Sequence, residues 1–215
     1  MQQRTVTTHR HRLGALMWIV RPAYFAAEIA VAAWSTARYS FVDNTISDLG
    51  AVECTSIQRF GDAVPVCSPA HDLLNASFVV FGALMALGAV LLHGRFGRGW
   101  LAMALTALLV VSGVSSIATG LTPLDLYRDG HVLAAGPLFV AQPIALVVLG
   151  LLVRARRPRT GSALIATGAL CGVAAGVFIG VDHAVGVTER MALWPVFVAL
   201  AVVGVQELRS AGTDT

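Results

Sequence analysis

Long apolar runs dominate the chain, and short polar connections separate them. Six runs are each long enough for a membrane-spanning helix, which needs about 20 apolar residues. Charges and turn-forming residues, such as His93-Gly94-Arg95, mark the boundaries between runs. The pattern predicts spanning helices over residues 13–34, 71–92, 100–120, 131–153, 161–181 and 191–208.

The composition indicates that the natural solvent is a bilayer. Of the 215 residues, 56% are hydrophobic and 13% are charged, and the mean hydropathy is +0.74. A soluble domain has about 25% charged residues, and so few charges could not cover this much apolar surface in water. A soluble enzyme, a coiled coil and a disordered regulator are therefore excluded. We predict an all-α polytopic membrane protein with a single transmembrane domain over residues 1–215, a bundle of six transmembrane helices.

The few charged residues are sorted by sign between alternate connections. Arginine supplies all 15 basic residues and concentrates in the N-terminal tail and in the second-to-third and fourth-to-fifth connections. Acidic residues occupy the other three connections. Because cytoplasmic loops carry an excess of basic residues, both termini are predicted to be cytoplasmic, in the cytoplasmic (inner) membrane of a bacterium. This orientation signal also explains the basic pI of 9.1 without a nucleic-acid partner.

The start of the chain has a second interpretation. A basic segment precedes the first run, and residues 30–33 are small, as in a cleaved signal peptide. Arg21-Pro22 and Glu28 interrupt the run, which is also longer than the apolar core of a signal peptide. An uncleaved first span is therefore favoured.

The first outer loop, residues 35–68, is the only long connection, and it contains Cys54 and Cys67. The space outside a bacterial cytoplasm is oxidising, which favours a Cys54–Cys67 disulfide; two free thiols are the alternative. Cys171 lies within the fifth run and is interpreted as a packing residue.

Small residues and buried charges indicate how the helices pack. Glycine recurs at every fourth position of the fifth run, and such a ridge lets another helix approach closely, within the bundle or in a homodimer. Arg21 and Glu28, seven residues apart, share a face of the first helix that should point inward, to form structural pairs or a polar pathway. The ridge comprises Gly168, Gly172, Gly176 and Gly180.

Histidine lies beside an acid at three predicted outer helix ends. Three imidazoles with a carboxylate or water can hold zinc, which activates water for attack on a lipid headgroup. The simpler interpretation is that the helix dipole stabilises acidic residues at these helix ends and that the histidines are amphipathic interface residues. The pairs are His71 with Asp72, His131 with Asp129, and His183 with Asp182.

Three stretches together resemble one known family. They are residues 46–51 (Ile-Ser-Asp-Leu-Gly-Ala), residues 67–82 (beginning Cys-Ser-Pro-Ala-His-Asp), and residues 120–125 (Gly-Leu-Thr-Pro-Leu-Asp) with the following His131. The chain resembles the bacterial and archaeal membrane family catalogued as domain of unknown function nine-nine-eight. A fainter likeness extends to the FRAG, DRAM and Sfk membrane group, which is linked to lipid organisation and membrane trafficking.

The resemblance implies six helices with extracytoplasmic motifs but supplies no activity. It gives weight to a candidate catalytic cluster at the outer surface, and this cluster consists of Ser47, Asp48, Asn75, Asp125 and His131.

Three functions remain open at this point. The first is a non-enzymatic protein that organises or senses lipid, or supports a membrane-protein partner. The second is a metal-dependent hydrolase or transferase that acts on lipid headgroups at the outer leaflet, with zinc as its cofactor and His71, His131 and His183 as ligands. The third is a small transporter or channel. Membrane lipid is the expected partner in the first two.

Overall fold

The computed structural model describes the backbone of residues 2–213 and the side chains of residues 9–210. Within these residues the chain forms seven α-helices and one two-stranded sheet. The helices are α1 (Gln2–Ile19), α2 (Ala23–Trp34), α3 (His71–Leu92), α4 (Trp100–Leu121), α5 (Arg128–Arg154), α6 (Pro158–Gly180) and α7 (Val185–Thr213), and the strands are β1 (Thr55–Arg59) and β2 (Asp62–Val66).

Six segments are long and apolar enough to cross a membrane, which confirms the prediction of a six-span, all-α membrane protein. The first span, His9–Trp34, joins α1 to α2 across a short turn at residues 20–22. Pro22 causes this turn because it has no N–H to donate to the helix. The other spans are His71–Arg95, Trp100–Leu121, Arg128–Arg154, Pro158–Gly180 and Val185–Ser210.

The spans pack in chain order around a closed ring. Each span contacts the next one, and α7 returns to contact α1. Trp18, Leu109 and Leu146 are among the fully buried side chains at its centre, whereas Leu133 and Ile179 are 78% and 73% exposed on the outside. Large apolar side chains on the outer surface are what a bilayer requires and water does not tolerate.

Glycines allow the closest helix contacts. A Cβ at Gly82 of α3 would lie 2.6 Å from the carbonyl oxygen of Gly113 in α4, and one at Gly150 of α5 would lie 2.6 Å from that of Gly161 in α6. Of the predicted ridge on α6, Gly168 packs against the backbone of α5. Gly172 meets only Pro143, at 3.6 Å, and a Cβ at Gly176 or Gly180 would have no neighbour within 4 Å.

A hairpin gives the first outer loop a regular structure that the sequence interpretation did not include. Strands β1 and β2 pair antiparallel, with Thr55 opposite Val66, and the tip residues Phe60 and Gly61 have φ of 49° and 95°. Positive φ at both tip residues matches the twist of a two-residue hairpin turn. The register places Cys54 directly opposite Cys67, with their Cα atoms 4.2 Å apart and their sulphurs paired.

The two ends of the bundle differ in their polar contacts. We call the end formed by residues 35–70, 122–127 and 181–184 the loop side, and the opposite end the terminal side. On the terminal side, the Glu207 carboxylate accepts hydrogen bonds from Arg95 (2.8 Å) and Arg157 (2.7 Å), which joins α7 to two connections. The loop side contains the candidate functional site.

Candidate functional site

Ser47 and His131 form a hydrogen-bonded pair on the loop side. Ser47 lies in a 3-10 helix, Ile46–Gly50, and His131 lies in the first turn of α5. The His131 Nε2 atom is 2.8 Å from Ser47 Oγ, and its Nδ1 atom is 2.6 Å from the carbonyl oxygen of Thr122. A carbonyl oxygen can only accept, so the neutral imidazole carries its proton on Nδ1. Nε2 therefore accepts the proton of the Ser47 hydroxyl.

Asp48 holds the backbone around Ser47 in place. Asp48 is 3% exposed, and its carboxylate accepts hydrogen bonds from the Thr45 backbone amide (2.9 Å) and the Asn44 side chain (3.1 Å). Arg59 of β1 also donates to it, at 2.5 Å, so that the hairpin is fixed against the 3-10 helix. A buried carboxylate with this many donors is well compensated. Asp48 is thus a structural anchor next to Ser47.

Three further side chains fix the same loop. The Asn75 amide donates to the Gly50 carbonyl at 2.9 Å, and the Glu189 carboxylate accepts from the Ile46 amide at 2.5 Å. Asp125 accepts from the backbone amides of residues 52 and 53, at 3.0 and 2.8 Å. Of the five candidate catalytic residues, the structure joins Ser47 and His131 directly. The side chains of Asp48, Asn75 and Asp125 instead form hydrogen bonds with the backbone on either side of Ser47.

A cleft of about 390 Å³ opens beside the Ser47–His131 pair. Helices α5 and α6 supply apolar walls, and the hairpin and the 3-10 helix supply polar groups at one end. The apolar lining includes Val132, Gly136, Phe139, Val140, Phe178 and Ile179. The polar lining comprises Thr45, Ser47, Gln58, Arg59, Arg128, His131 and Glu189.

A family model described as "Protein of unknown function (DUF998)" matches residues 19–206. The chain belongs to the DUF998 family. The match covers all six spans apart from residues 9–18 of the first and residues 207–210 of the last. No curated protein and no solved structure matches the chain.

The three histidines of the proposed zinc set are not brought together in this DUF998 protein. His71 contacts the Ser68 carbonyl (2.9 Å) and Asp72 (3.3 Å), while the exposed His183 is hydrogen-bonded to its neighbour Asp182 (2.8 Å). Both nitrogens of His131 are engaged elsewhere. Among residues 9–210, no group of three or more His, Cys, Asp or Glu side chains is placed to hold a metal ion. The arrangement does not fit zinc.

Glu28 finds its partner on another helix. Its carboxylate accepts from Arg190 Nε at 2.9 Å and from the Trp194 indole at 3.1 Å. Arg21 lies in the turn between α1 and α2 rather than on a helix face shared with Glu28; it donates to the carbonyl of Phe81 and lies over the Phe197 ring, 4.6 Å from its centroid. Both Arg21 and Glu28 are buried, at 2% and 0% exposure.

Arg190 also connects the first outer loop to α7. It donates to the carbonyls of Phe41 (3.0 Å), Asn44 (3.0 Å) and Gly186 (2.8 Å), and to the Tyr39 hydroxyl. Burial raises the pKa of the Tyr39 phenol above its ordinary range, so this hydroxyl keeps its proton and donates it to the Thr45 carbonyl at 3.0 Å.

The sequence interpretation missed the arginines of the loop side. The sorting of arginine to the other end of the bundle has exceptions, and these were the available signal. They are Arg38, Arg59, Arg128 and Arg190. An arginine on the side where acids dominate needs a local reason. For Arg59 and Arg190 the reason is a buried carboxylate.

Proposed function

We propose that this six-span membrane protein binds an anionic, amphiphilic lipid in the cleft between α5 and α6. The observation that carries the proposal is the division of the cleft into an apolar part and a polar end. A lipid with an acyl chain and a charged headgroup has the same division. The cleft volume of about 390 Å³ lies within the range of small-molecule sites.

The apolar part of the cleft is open towards the surroundings of the bundle. Val132, Val140 and Ile179 line it and are 60%, 61% and 73% exposed. In a bilayer, side chains of this kind face acyl chains. A lipid can therefore enter sideways from the membrane without passing through water.

The polar end favours a negative headgroup. Arg59 is already paired with Asp48. Arg128 is exposed at the mouth of the cleft, and no side chain in the described part of the chain, residues 9–210, forms an ion pair with it. A guanidinium without a carboxylate is the group that recognises a phosphate or carboxylate headgroup.

The cleft lies on the loop side, which the arginine distribution assigns to the outside of the cytoplasmic membrane. A lipid held there would come from the outer leaflet. Binding of this kind supports a lipid-organising or lipid-sensing role in the bacterial inner membrane.

Photocrosslinking tests the proposal. The probe is phosphatidylglycerol with a diazirine in its acyl chain, added to the full chain in nanodiscs, and crosslinks are located by peptide mass spectrometry. We expect adducts concentrated on residues 132–140 of α5 and 178–179 of α6. The same diazirine on phosphatidylcholine should label these peptides several-fold less, and Arg128→Gln should remove most of that difference.

Two glycine variants provide a matched pair. Gly136 lines the cleft and Gly176 does not, and a Cβ at either position would have no neighbour within 4 Å. Gly136→Phe should reduce labelling at least threefold, whereas Gly176→Phe should leave it unchanged. Labelling spread evenly over the apolar surface and insensitive to Gly136→Phe would overturn the proposal.

A further inference from the structure

We infer that Ser47 and His131 are a catalytic pair that hydrolyses a carboxylic ester of the amphiphile in the cleft. The inference rests on the proposed lipid site and adds a reaction to it. It needs neither a metal nor any group beyond the substrate, water and this chain.

The direction of the hydrogen bonds is the first argument. The Thr122 carbonyl, 2.6 Å from Nδ1, requires the proton of the imidazole on that nitrogen. Nε2 then has a free lone pair, and it lies 2.8 Å from Ser47 Oγ. This is the arrangement of a nucleophile, a general base and a third group that orients the base. A backbone carbonyl takes the place of the usual carboxylate.

The position of the pair is the second argument. Ser47 and His131 both line the cleft, at its polar end and next to its apolar walls. Ser47 is half-buried and reachable from the cleft, while His131 is 6% exposed and shielded from solvent. An acyl chain that lay along α5 in the apolar part of the cleft would bring the ester at its polar end close to Ser47 and His131.

The rigidity of the support is the third argument. The 3-10 helix that carries Ser47 is held by Asp48, Asn75 and Glu189, which come from three different parts of the chain. Catalytic groups must be held in place by their surroundings before the substrate arrives. Positive charge from Arg128 in the same lining favours the negative charge that develops on an attacked carbonyl.

The reaction balances with water as the only co-reactant. Ser47 Oγ bonds to the ester carbonyl carbon while its proton moves to His131 Nε2. The bond between the acyl carbon and the alcohol oxygen then breaks, and the alcohol takes the proton from Nε2. Water attacks the acyl-serine, gives a proton to Nε2, and releases the carboxylic acid as that proton returns to Ser47 Oγ.

Two probes test the reaction on the full chain in detergent micelles. A fluorophosphonate with a long alkyl chain should form a covalent adduct on Ser47, with loss of fluoride. Turnover of 4-methylumbelliferyl heptanoate gives a rate. Ser47→Ala should abolish the adduct and the turnover, and His131→Gln should lower both rates at least about 100-fold, the lower end of the usual contribution of a general base. Ser56→Ala, on the exposed face of the hairpin outside the cleft, should have no effect.

Photocrosslinking with the diazirine phosphatidylglycerol separates this inference from the proposed function. Ser47→Ala should keep its acyl-chain labelling, which shows that the cleft is intact. Lipid labelling without an adduct on Ser47, or equal turnover by wild type and Ser47→Ala, would overturn the catalytic inference and leave the lipid site standing. Absence of labelling in the cleft of the wild-type protein would overturn the lipid site itself.

Discussion

Glu28 of α2 and Arg190 of α7 form a buried ion pair within the membrane-spanning region. The Arg190 Nε and Glu28 Oε1 atoms are 2.9 Å apart, and the two side chains are 5% and 0% exposed. Trp194 satisfies the second carboxylate oxygen, and backbone carbonyls and the Tyr39 hydroxyl accept from the rest of the guanidinium. The pair therefore joins the first span, the first outer loop and the last span at one point.

Breaking this pair should destabilise the protein strongly. Arg190→Met leaves the Glu28 carboxylate without its cation and removes the guanidinium donor from three backbone carbonyls, which should cost about 3–5 kcal/mol. Glu28→Gln should cost less, because the single amide oxygen can still accept from Arg190 Nε, although the Trp194 indole loses its acceptor. Thermal unfolding in detergent measures both, with the exposed Arg98→Met as control. An Arg190→Met protein as stable as Arg98→Met would show that the pair contributes nothing.

The crossing of α3 and α4 should reject any side chain at Gly113. A Cβ there would lie 2.5 Å from the Gly82 carbonyl oxygen and 2.8 Å from the Ala86 Cβ, so the helices must separate. Gly113→Val should lower stability by about 1–3 kcal/mol, the usual cost of overpacking. Gly176→Val, where a Cβ has no neighbour within 4 Å, serves as the control in the same unfolding assay. Equal unfolding midpoints for the two variants would contradict the close crossing.

Thiol counting tests the pairing of Cys54 with Cys67. We expect alkylation of the denatured, unreduced protein to modify only Cys171, and reduction to expose two more thiols. A bond closing a loop of this length should stabilise the fold by about 3 kcal/mol, so a reductant should lower the unfolding midpoint. Cys171→Ala is the control and should leave no alkylated thiol before reduction. Three modified cysteines without reductant would show that the bond does not form.

Epitope accessibility tests the orientation. A tag inserted at Gly61, on the exposed hairpin tip, should bind antibody in intact spheroplasts. A tag after Thr215 should bind only after lysis, because both termini are predicted to be cytoplasmic. The reverse pattern would place the cleft at the inner leaflet and remove the outer-leaflet part of the proposed function.

Much of the architecture could be predicted because a bilayer imposes strict rules on the chain. Six apolar runs and their separators predicted the six spans, since backbone polar groups in lipid must be satisfied within helices. The hairpin was missed because its strands are short, and the alternation in Thr55–Arg59 is weak beside the apolar runs. Ser47 and His131 were candidates because of their predicted place at the outer surface and a family resemblance. Nothing in their spacing of 84 residues showed that they touch.

The glycine ridge shows the limit of pattern. Four glycines share one face of α6, yet a Cβ would meet another helix's backbone only at Gly168. The glycine periodicity shows which residues share a face of α6, but it does not show which helix packs against that face. The neighbouring helix is determined by the packing of all six spans.

The sequence by itself determined that the chain is a membrane protein, where its spans lie, and which family it belongs to. Hydrophobicity and short motifs are local, and they can be read without knowing which helices are neighbours. Only the tertiary structure decided that Glu28 pairs with Arg190 rather than Arg21, that the three histidines stay apart, and that Ser47 donates to His131 beside an amphiphilic cleft. These are contacts between distant segments, and they form only when the closed ring of helices brings the loop-side ends together.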